Sequence, residues 1–352
     1  MDEMGLKMTD FYNGKRVLVT GHTGFKGTWL CRMLMNAGAN VTGYSRFSEK
    51  EQSLFQKLGP DARMTHIKGD VRDFMHLHEV FDAVQPEIVF HLAAQPIVRE
   101  SYLDPLSTYQ TNVMGTVNLM ECIRLCPTVR SAVNVTTDKV YLNEEREAGF
   151  TEEDKLDGYD PYSNSKSCSE LVTHSYVKSF FSSGTVAVST ARAGNVIGGG
   201  DYAKDRIIPD CIRAVTKGEV IGVRNPASVR PYQHVLEPLY AYLMIAQRQY
   251  EDCSYAGSYN VGPDESDAVT TAELVDLFCK YWGNGASWES RTQKNAPHEA
   301  GYLKLDCSKL KQTFGWSPRW NIEKAIEMTC LFAKAEDIGT EMDREIKLFL
   351  EA

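Results

Sequence analysis

No stretch of the 352-residue chain stays apolar for the ~20 positions a bilayer-spanning helix needs, so no membrane segment is expected. Residues 1–10 carry charges and no apolar core, which argues against a secretory signal. Basic charge is in short supply: 38 Lys and Arg stand against 47 Asp and Glu, a net −9. That leaves no basic footprint for nucleic acid. The cysteines never form C-x-x-C and the histidines never stand at H-x-x-x-H, so no metal site is expected. Nine cysteines scattered singly, an odd count, read as reduced thiols of a cytoplasmic protein. Repeats and low-complexity segments are missing too. What is present is ordinary globular composition, 43% hydrophobic and 24% charged. The length suits two domains, or one large domain with an elaborated end.

The chain is organised around Arg16-Val-Leu-Val-Thr-Gly-His-Thr-Gly-Phe-Lys-Gly-Thr-Trp29. Val17 to Val19 suits a strand buried on both faces. Gly21, Gly24 and Gly27 follow at intervals of three, and Trp29, Leu30, Met33 and Leu34 then take helical spacing. Strand, glycine turn and helix form the phosphate-binding unit of a doubly wound sheet. The spacing G-x-x-G-x-x-G is one residue wider at the front than the usual dinucleotide fingerprint. Gly21, His22, Thr23, Gly24, Phe25, Lys26 and Gly27 are expected to line a dinucleotide cofactor.

Strand and helix alternate onward to residue 135. Residues 40–44 read as the second strand, ending at Tyr44, Ser45 and Arg46 without the acid that often holds a ribose. Arg46 suits a 2′-phosphate or plain solvent, so NAD and NADP both stay open. Residues 65–68 form a strand before Asp70 and Val71; Asp70 either accepts from an adenine amine or caps the helix of 72–84. Residues 87–92 run into His91-Leu-Ala-Ala-Gln95, where Leu92, Ala93 and Ala94 leave room for a cofactor. A helix over 111–125 and a strand over 131–135 lead to Thr136-Thr-Asp-Lys139. A helix opens near Tyr162, and 185–191 is the sixth strand. Beyond Asn195 come a glycine loop, a helix over 206–217 and an arginine-bearing loop over 224–231. A helix over 235–250 is expected to return to the first domain, followed by a strand over 258–261. Helices over 270–281 and 306–314 belong to a smaller lobe. The expected fold is therefore α/β: a Rossmann-type doubly wound parallel sheet with a smaller C-terminal substrate-binding lobe. Its boundaries are 1–195 with 233–262 for the cofactor domain, and 196–232 with 263–352 for the lobe.

Tyr162 and Lys166 stand four apart on one helix face. A tyrosine near pKa ~10 is a poor base at neutral pH, and a neighbouring ammonium favours the phenolate. Asp138 and Lys139, side by side at a strand end, are costly to bury unless paired or used. Arg224 and Arg230 suit phosphate oxygens or solvent. His298, near Glu299 and Tyr302, is a candidate for the nucleotide pocket.

Together Thr20-Gly-x-x-Gly-x-x-Gly27, His91-x-Ala-Ala94, Thr137-Asp-Lys139, Tyr162-x-x-x-Lys166 and Ala193-Gly-Asn195 resemble the extended short-chain dehydrogenase/reductases. The longer stretches Gly-His-Thr-Gly-Phe-Lys-Gly27, Tyr-Asp-Pro-Tyr-Ser-Asn-Ser-Lys166 and Gln-His-Val-Leu-Glu-Pro238 are similar to CDP-glucose 4,6-dehydratases. The likeness runs from about residue 11 to about residue 320. It implies NAD as a catalytic cofactor, CDP-glucose as substrate and an internal redox reaction. Tyr162 would take the 4-hydroxyl proton, helped by Thr137, with Lys166 serving the tyrosine and the nicotinamide ribose. Asp138 would protonate the departing 6-hydroxyl. Lys139, where many relatives carry Glu, would act as base or as a cation beside the enolate. Thr136 would join the cofactor residues, and Gln95, Asn195, Arg206, Arg224, Arg230 and His298 would meet the substrate. The resemblance also implies a homodimer, or a dimer of dimers, and a deoxysugar for a bacterial surface polysaccharide. Three other readings stand beside it: a dehydratase of another nucleoside-diphosphate hexose, a 4-epimerase, and a non-catalytic NAD(P) sensor on the same fold.

Overall fold

The computed structural model describes residues 10–46, 53–144, 146–291 and 303–352. The first half alternates as the sequence suggests: β1 (Arg16–Thr20), α1 (Phe25–Asn36), β2 (Asn40–Ser45), α2 (Leu54–Leu58), β3 (Met64–Lys68), α3 (Phe74–Val84) and β4 (Ile88–His91). Then come α4 (Val98–Leu103), α5 (Pro105–Tyr109), a π turn (Gln110–Met114) and α6 (Gly115–Leu125). The expected helix over 111–125 is thus the end of a longer, interrupted one. It is followed by β5 (Ser131–Val135), a 3₁₀ turn (Asp138–Val140), α7 (Pro161–Phe180) and β6 (Ala187–Ala193).

The second half is more broken: β7 (Val196–Ile197), α8 (Ile207–Thr216), β8 (Ile221–Val223), β9 (Val229–Arg230), β10 (Gln233–His234), α9 (Leu236–Glu251) and β11 (Ser258–Val261). It ends with β12 (Val269–Thr270), α10 (Thr271–Trp282), β13 (Trp288–Ser290), α11 (Ser308–Phe314), α12 (Ile322–Lys334) and α13 (Ile338–Glu351).

Seven strands form one sheet in the order β11-β6-β5-β4-β1-β2-β3. Every pairing in it is parallel. The chain starts at the centre, winds out to β3, then returns past β1 to β4, as a doubly wound sheet does. Strand alternation sends Val17 and Val19 to one face and Leu18 to the other. The first face is covered by α1 and α9, which bring Trp29, Leu30, Leu239 and Leu243. The second is covered by α3 and α6, with Leu77, Phe81, Leu119 and Ile123. The helix over 235–250 therefore does return to the sheet.

A separate apolar cluster joins α8, β8, α10 and α12 through Ile208, Val223, Phe278 and Ile326. It is the core of the smaller lobe. The last two helices tie it to the sheet, since Phe332 and Met342 belong to the same core as Trp29. Sheet and lobe meet above the carboxyl ends of β1, β4, β5 and β6, where open α/β folds place their ligands.

Candidate active site

The glycine turn is shaped by close contacts. Gly21 has φ +75°, and a Cβ there would stand 2.6 Å from the Ala93 backbone nitrogen. A Cβ on Gly27 would stand 2.2 Å from the Gly21 carbonyl oxygen, so only glycine lets α1 start this close to β1. The N-cap of α1 is Gly24, which has no side chain to cap the first N–H groups. A backbone cradle without side chains beside the small Ala93 and Ala94 fits a dinucleotide diphosphate.

The side chains of the turn divide. Thr23 donates to Ser45 Oγ at 3.0 Å. His22 is fully buried against Gly43, Phe55 and His66, so its ring packs into the fold. Burial, then the neighbouring His66, lowers its pKa to about 3. Phe25 approaches Gly198. Lys26 reaches across to Tyr242, its ammonium 3.5 Å from the phenol oxygen. Burial, with Arg206 and Lys166 nearby, lowers the Lys26 pKa to about 7.

At the ends of β2 and β3 the sequence reading needs adjusting. The Tyr44 ring is buried beside Gly69 and its hydroxyl donates to the Asp70 carbonyl at 3.0 Å, so the side chain serves packing. Asp73, and not Asp70, caps α3 by accepting from the His76 nitrogen. Asp70 accepts from both Nε and a terminal nitrogen of the Arg72 guanidinium, with Arg46 3.9 Å away. Val71 is buried, and its carbonyl accepts from Asn118. Leu92 lies half-buried after β4, where His91 Nδ1 meets the Thr20 hydroxyl at 2.7 Å and ties β4 to β1.

The residues expected to serve as acid and base gather at the end of β5. Thr137 donates to Asp138 Oδ1 at 2.9 Å. Lys139 Nζ stands 2.8 Å from the same Asp138 oxygen and 3.1 Å from Asn195 Oδ1. Asp138 is fully buried, and its Oδ2 has no partner. Tyr162 and Lys166 share a face of α7 whose start is fixed by Asp160, which caps it by accepting from the Ser163 nitrogen. Lys166 does not bond the tyrosine. Its ammonium donates to the Val135 carbonyl at 3.0 Å, and burial lowers its pKa to about 8. Burial also raises the Tyr162 phenol to about 12. The chain alone therefore moves Tyr162 opposite to the direction its lysine neighbour suggests.

Two further groups support this cluster and were not legible as site residues. Glu170, one turn beyond Lys166, is fully buried and accepts from Thr136, Thr190 and both Nε and a terminal nitrogen of Arg192. Burial opposes its charge, yet Arg192 holds it below the ordinary carboxylate range. The four-residue spacing from Lys166 was the available signal for Glu170; Arg192 had none. Tyr242, on α9, is the other.

The expected substrate residues scatter more. Gln95 spends its side chain on its own loop, donating to Ile97 O and Thr108 and accepting from the Ile97 nitrogen. Asn195 does face the cluster through Lys139. Arg206 pairs with Asp201 at 2.9 Å and lies close enough to act on Lys26 and Tyr162. Arg224 binds Asp205 at 2.6 Å, and Arg99 meets the same carboxylate at 3.4 Å. Arg230 is buried on β9 and donates to its neighbour's carbonyl. His298 lies outside the described residues, as do Glu299 and Tyr302. Among the described residues no group of three metal-ligating side chains converges.

The glycine turn follows β1, the Tyr/Lys face of α7 lies against the end of β5, and Thr137-Asp-Lys139 continues from that strand. The sequence profile described as GDP-mannose 4,6 dehydratase matches residues 18–329. The chain belongs to the GDP-mannose 4,6 dehydratase family. Within that family's reach, a CDP-glucose 4,6-dehydratase of Salmonella typhimurium is 46% identical, over 97% of this chain and 98% of that one. A dTDP-glucose 4,6-dehydratase of Haemophilus influenzae is 25% identical over 89% and 96%. Among solved structures, the dTDP-glucose 4,6-dehydratase of Bacillus anthracis in complex with NAD superposes with a TM-score of 0.76. It is 22% identical and covers 90% of this chain and 96% of its own. The corresponding Streptomyces venezuelae enzyme with NAD and TYD bound gives a TM-score of 0.78 at 23% identity, over 90% and 96%. At that identity the structures establish the fold of the dehydratase family, a Rossmann-type sheet, for this chain.

Proposed function

We propose that the chain is a CDP-glucose 4,6-dehydratase, a hydro-lyase that turns CDP-D-glucose into CDP-4-dehydro-6-deoxy-D-glucose and water. The observation that carries the reading is that two pairs gather where β5 ends: Lys166 donates to the Val135 carbonyl of β5, and Asp138 and Lys139 follow that strand. Tyr162 and Lys166 supply what oxidation at C4 needs. Asp138 and Lys139 supply what loss of the 6-hydroxyl needs. A 4-epimerase has no use for an acid beside C6. The curated relative at 46% identity, matched end to end, supports the choice of CDP-glucose.

Bound NAD would supply a hydride acceptor that returns what it accepts. Its proposed holders are the backbone of the glycine turn, the ends of β2 and β3 at Arg46 and Asp70, and Leu92, Ala93, Ala94 and Thr136, with Tyr162 and Lys166 at the reacting end. Tyr162 takes the 4-hydroxyl proton. The Asp138 carboxyl protonates the 6-hydroxyl as it leaves, while Lys139 attends the C5 proton. Asn195 and Arg206 would meet the sugar and diphosphate, and Arg224 and Arg230 the phosphates. The proposed cofactor domain is 1–195 with 233–262 and the proposed substrate lobe 196–232 with 263–352.

The same reading gives a homodimer. Leu103, Leu106, Met114 and Leu171 are large apolar side chains left 80%, 69%, 50% and 55% exposed on the neighbouring helices α4 to α7. A cytoplasmic setting agrees with nine cysteines that are all free thiols. No described helix is long and apolar enough to cross a membrane.

The test is mass spectrometry of products from a panel of nucleotide hexoses. CDP-glucose is expected to lose one water with catalytic NAD and no added reductant. Product from another nucleotide only, or a strict need for NADP, would replace the assignment.

A further inference from the structure

Two guanidiniums from separate parts of the fold meet on one carboxylate oxygen. Arg224, just after β8 of the lobe, donates to Asp205 Oδ1 at 2.6 Å. Arg99, on α4 beyond the end of β4, brings a terminal nitrogen to 3.4 Å from the same oxygen. Asp205 itself lies in the loop before α8, next to Arg206. The helix that carries Arg99 also carries Ser101, whose hydroxyl accepts from the Tyr162 nitrogen at 3.1 Å. The cluster therefore bridges sheet and lobe close to the start of the Tyr/Lys helix.

As an ion-pair network the arrangement leaves much unused. A guanidinium has five N–H donors in a planar fork that suits two oxygens at once. Here two forks share one oxygen. Arg224 adds only a long bond to the Asp205 carbonyl, 3.4 Å, and Arg99 Nε is buried with no hydrogen-bond partner. Asp210 stands 3.9 Å from Arg224 but is engaged by Arg213. Asp205 holds φ +62°, in the left-handed region that few residues other than glycine and asparagine adopt. Its side chain is 38% exposed, so water can receive the carboxylate when it turns away. Such a carboxylate, on two guanidiniums with donors to spare, is one that a larger anion can displace.

We propose that Asp205 is a built-in competitor for the substrate's diphosphate, holding Arg99 and Arg224 until phosphate oxygens displace it and take both guanidiniums. Arg99 is then a substrate-binding residue that reaches the diphosphate from the sheet, while Arg224 reaches it from the lobe. A diphosphate offers several oxygens and more than one negative charge. Each fork can therefore take two oxygens, and Arg99 Nε gains the acceptor that the carboxylate does not give it. A ligand held in this way ties lobe to sheet through its own phosphates. The inference rests on the nucleotide-sugar reading above.

The test is calorimetry of the full chain, saturated with NAD and titrated with CDP, which carries the diphosphate without the sugar. Asp205→Asn keeps the size of the side chain, and asparagine tolerates the left-handed backbone. It is expected to tighten CDP binding by about 5-fold, the upper range for an exposed ion pair that no longer has to break. Arg99→Ala is expected to weaken CDP binding by about 10-fold or more, as for a lost charge-assisted bond. In an Arg99→Ala chain the Asp205→Asn change should gain clearly less, because one of the two pairs it frees is already gone. An equal gain there means that the carboxylate only repels anions, and the competitor is wrong. Unchanged or weaker CDP binding by Asp205→Asn overturns it as well, since Asp205 would then hold the arginines in place for the ligand. So does an Arg99→Ala chain that binds CDP like the unaltered one. A change in NAD affinity in place of CDP affinity would assign the arginines to the cofactor and overturn it too. If the unaltered chain binds another nucleoside diphosphate and not CDP, the CDP-glucose reading falls, and the same set of variants with that nucleotide decides on Asp205.

Discussion

Tyr162 sits between two opposed influences, and the balance changes with what is bound. Burial holds its phenol at about 12, while Lys166 is directed to the Val135 carbonyl. Lowering the phenol to near neutrality calls for roughly 1.4 kcal/mol per pKa unit from the positive charge of the oxidised nicotinamide and the surrounding amines. Division of labour follows. Tyr162→Phe removes the base for the 4-hydroxyl, so neither reduced cofactor nor product should form. Asp138→Asn and Lys139→Met should still oxidise C4, then stall with reduced nicotinamide visible by rapid-mixing absorbance, their dehydration slower by ~10²–10⁴-fold. Failure of both to reduce the cofactor, with substrate binding intact, would give the pair a part in hydride transfer instead. Arg230 offers a simpler test. Its loss in Arg230→Ala should weaken CDP-glucose binding by about 1.5–3 kcal/mol, the range for a charge-assisted bond, and leave NAD affinity nearly unchanged by calorimetry. These side chains could be nominated from sequence because their types are rare at a strand end or a helix face unless used. Gln95, His22 and Tyr44 show the other side: residue type alone did not reveal that their side chains serve the loop and the core.

Among elements, α9 carries a titration of its own. Glu237 in its first turn is fully buried and accepts from the backbone nitrogens of Arg319 and Trp320, at 2.9 and 2.7 Å. It thereby fixes the approach to α12. Burial raises its pKa from 4.5 to about 7. The folded chain then binds more protons than the unfolded one between those values, so the stabilisation present below pH 4.5 is lost as pH rises through 7. A shift of that size corresponds to roughly 3 kcal/mol. Glu237→Gln keeps an acceptor and does not titrate. Denaturant unfolding at pH 4.5 and pH 8 should show the wild type losing up to that amount relative to the variant, and a constant difference would mean that Glu237 is not buried as described. The elements that sequence periodicity found best are those with one clear partner face, such as α1 and the buried strands. The final helices α12 and α13 went unassigned, because their apolar faces meet α1 and the lobe core, far away in the chain.

For the molecule as a whole, α12 belongs to both the sheet core and the lobe core, and the neighbouring helices α4 to α7 carry several large exposed apolar side chains. Leu106→Glu combined with Leu171→Glu should leave the fold intact by circular dichroism and convert a dimer into a monomer by sedimentation velocity. A wild type that sediments as a monomer at micromolar concentration would remove the dimer proposal.

Local covalent geometry and periodicity settled much from the sequence alone. Short continuous apolar runs set the strands, glycines at 21, 24 and 27 set the turn, and the interval from Tyr162 to Lys166 set a shared helix face. These features depend on neighbours within a few residues, and that information is written in order along the chain. Tertiary structure alone decided where the hydrogen bonds went. Lys139 finds Asn195 across 56 residues, Arg192 finds Glu170 across 22, and Lys166 of α7 meets the Val135 carbonyl of β5 across 31. Each of those partners is chosen by the packing of separate elements on one sheet, and the direction of a side chain follows from what fills the space around it.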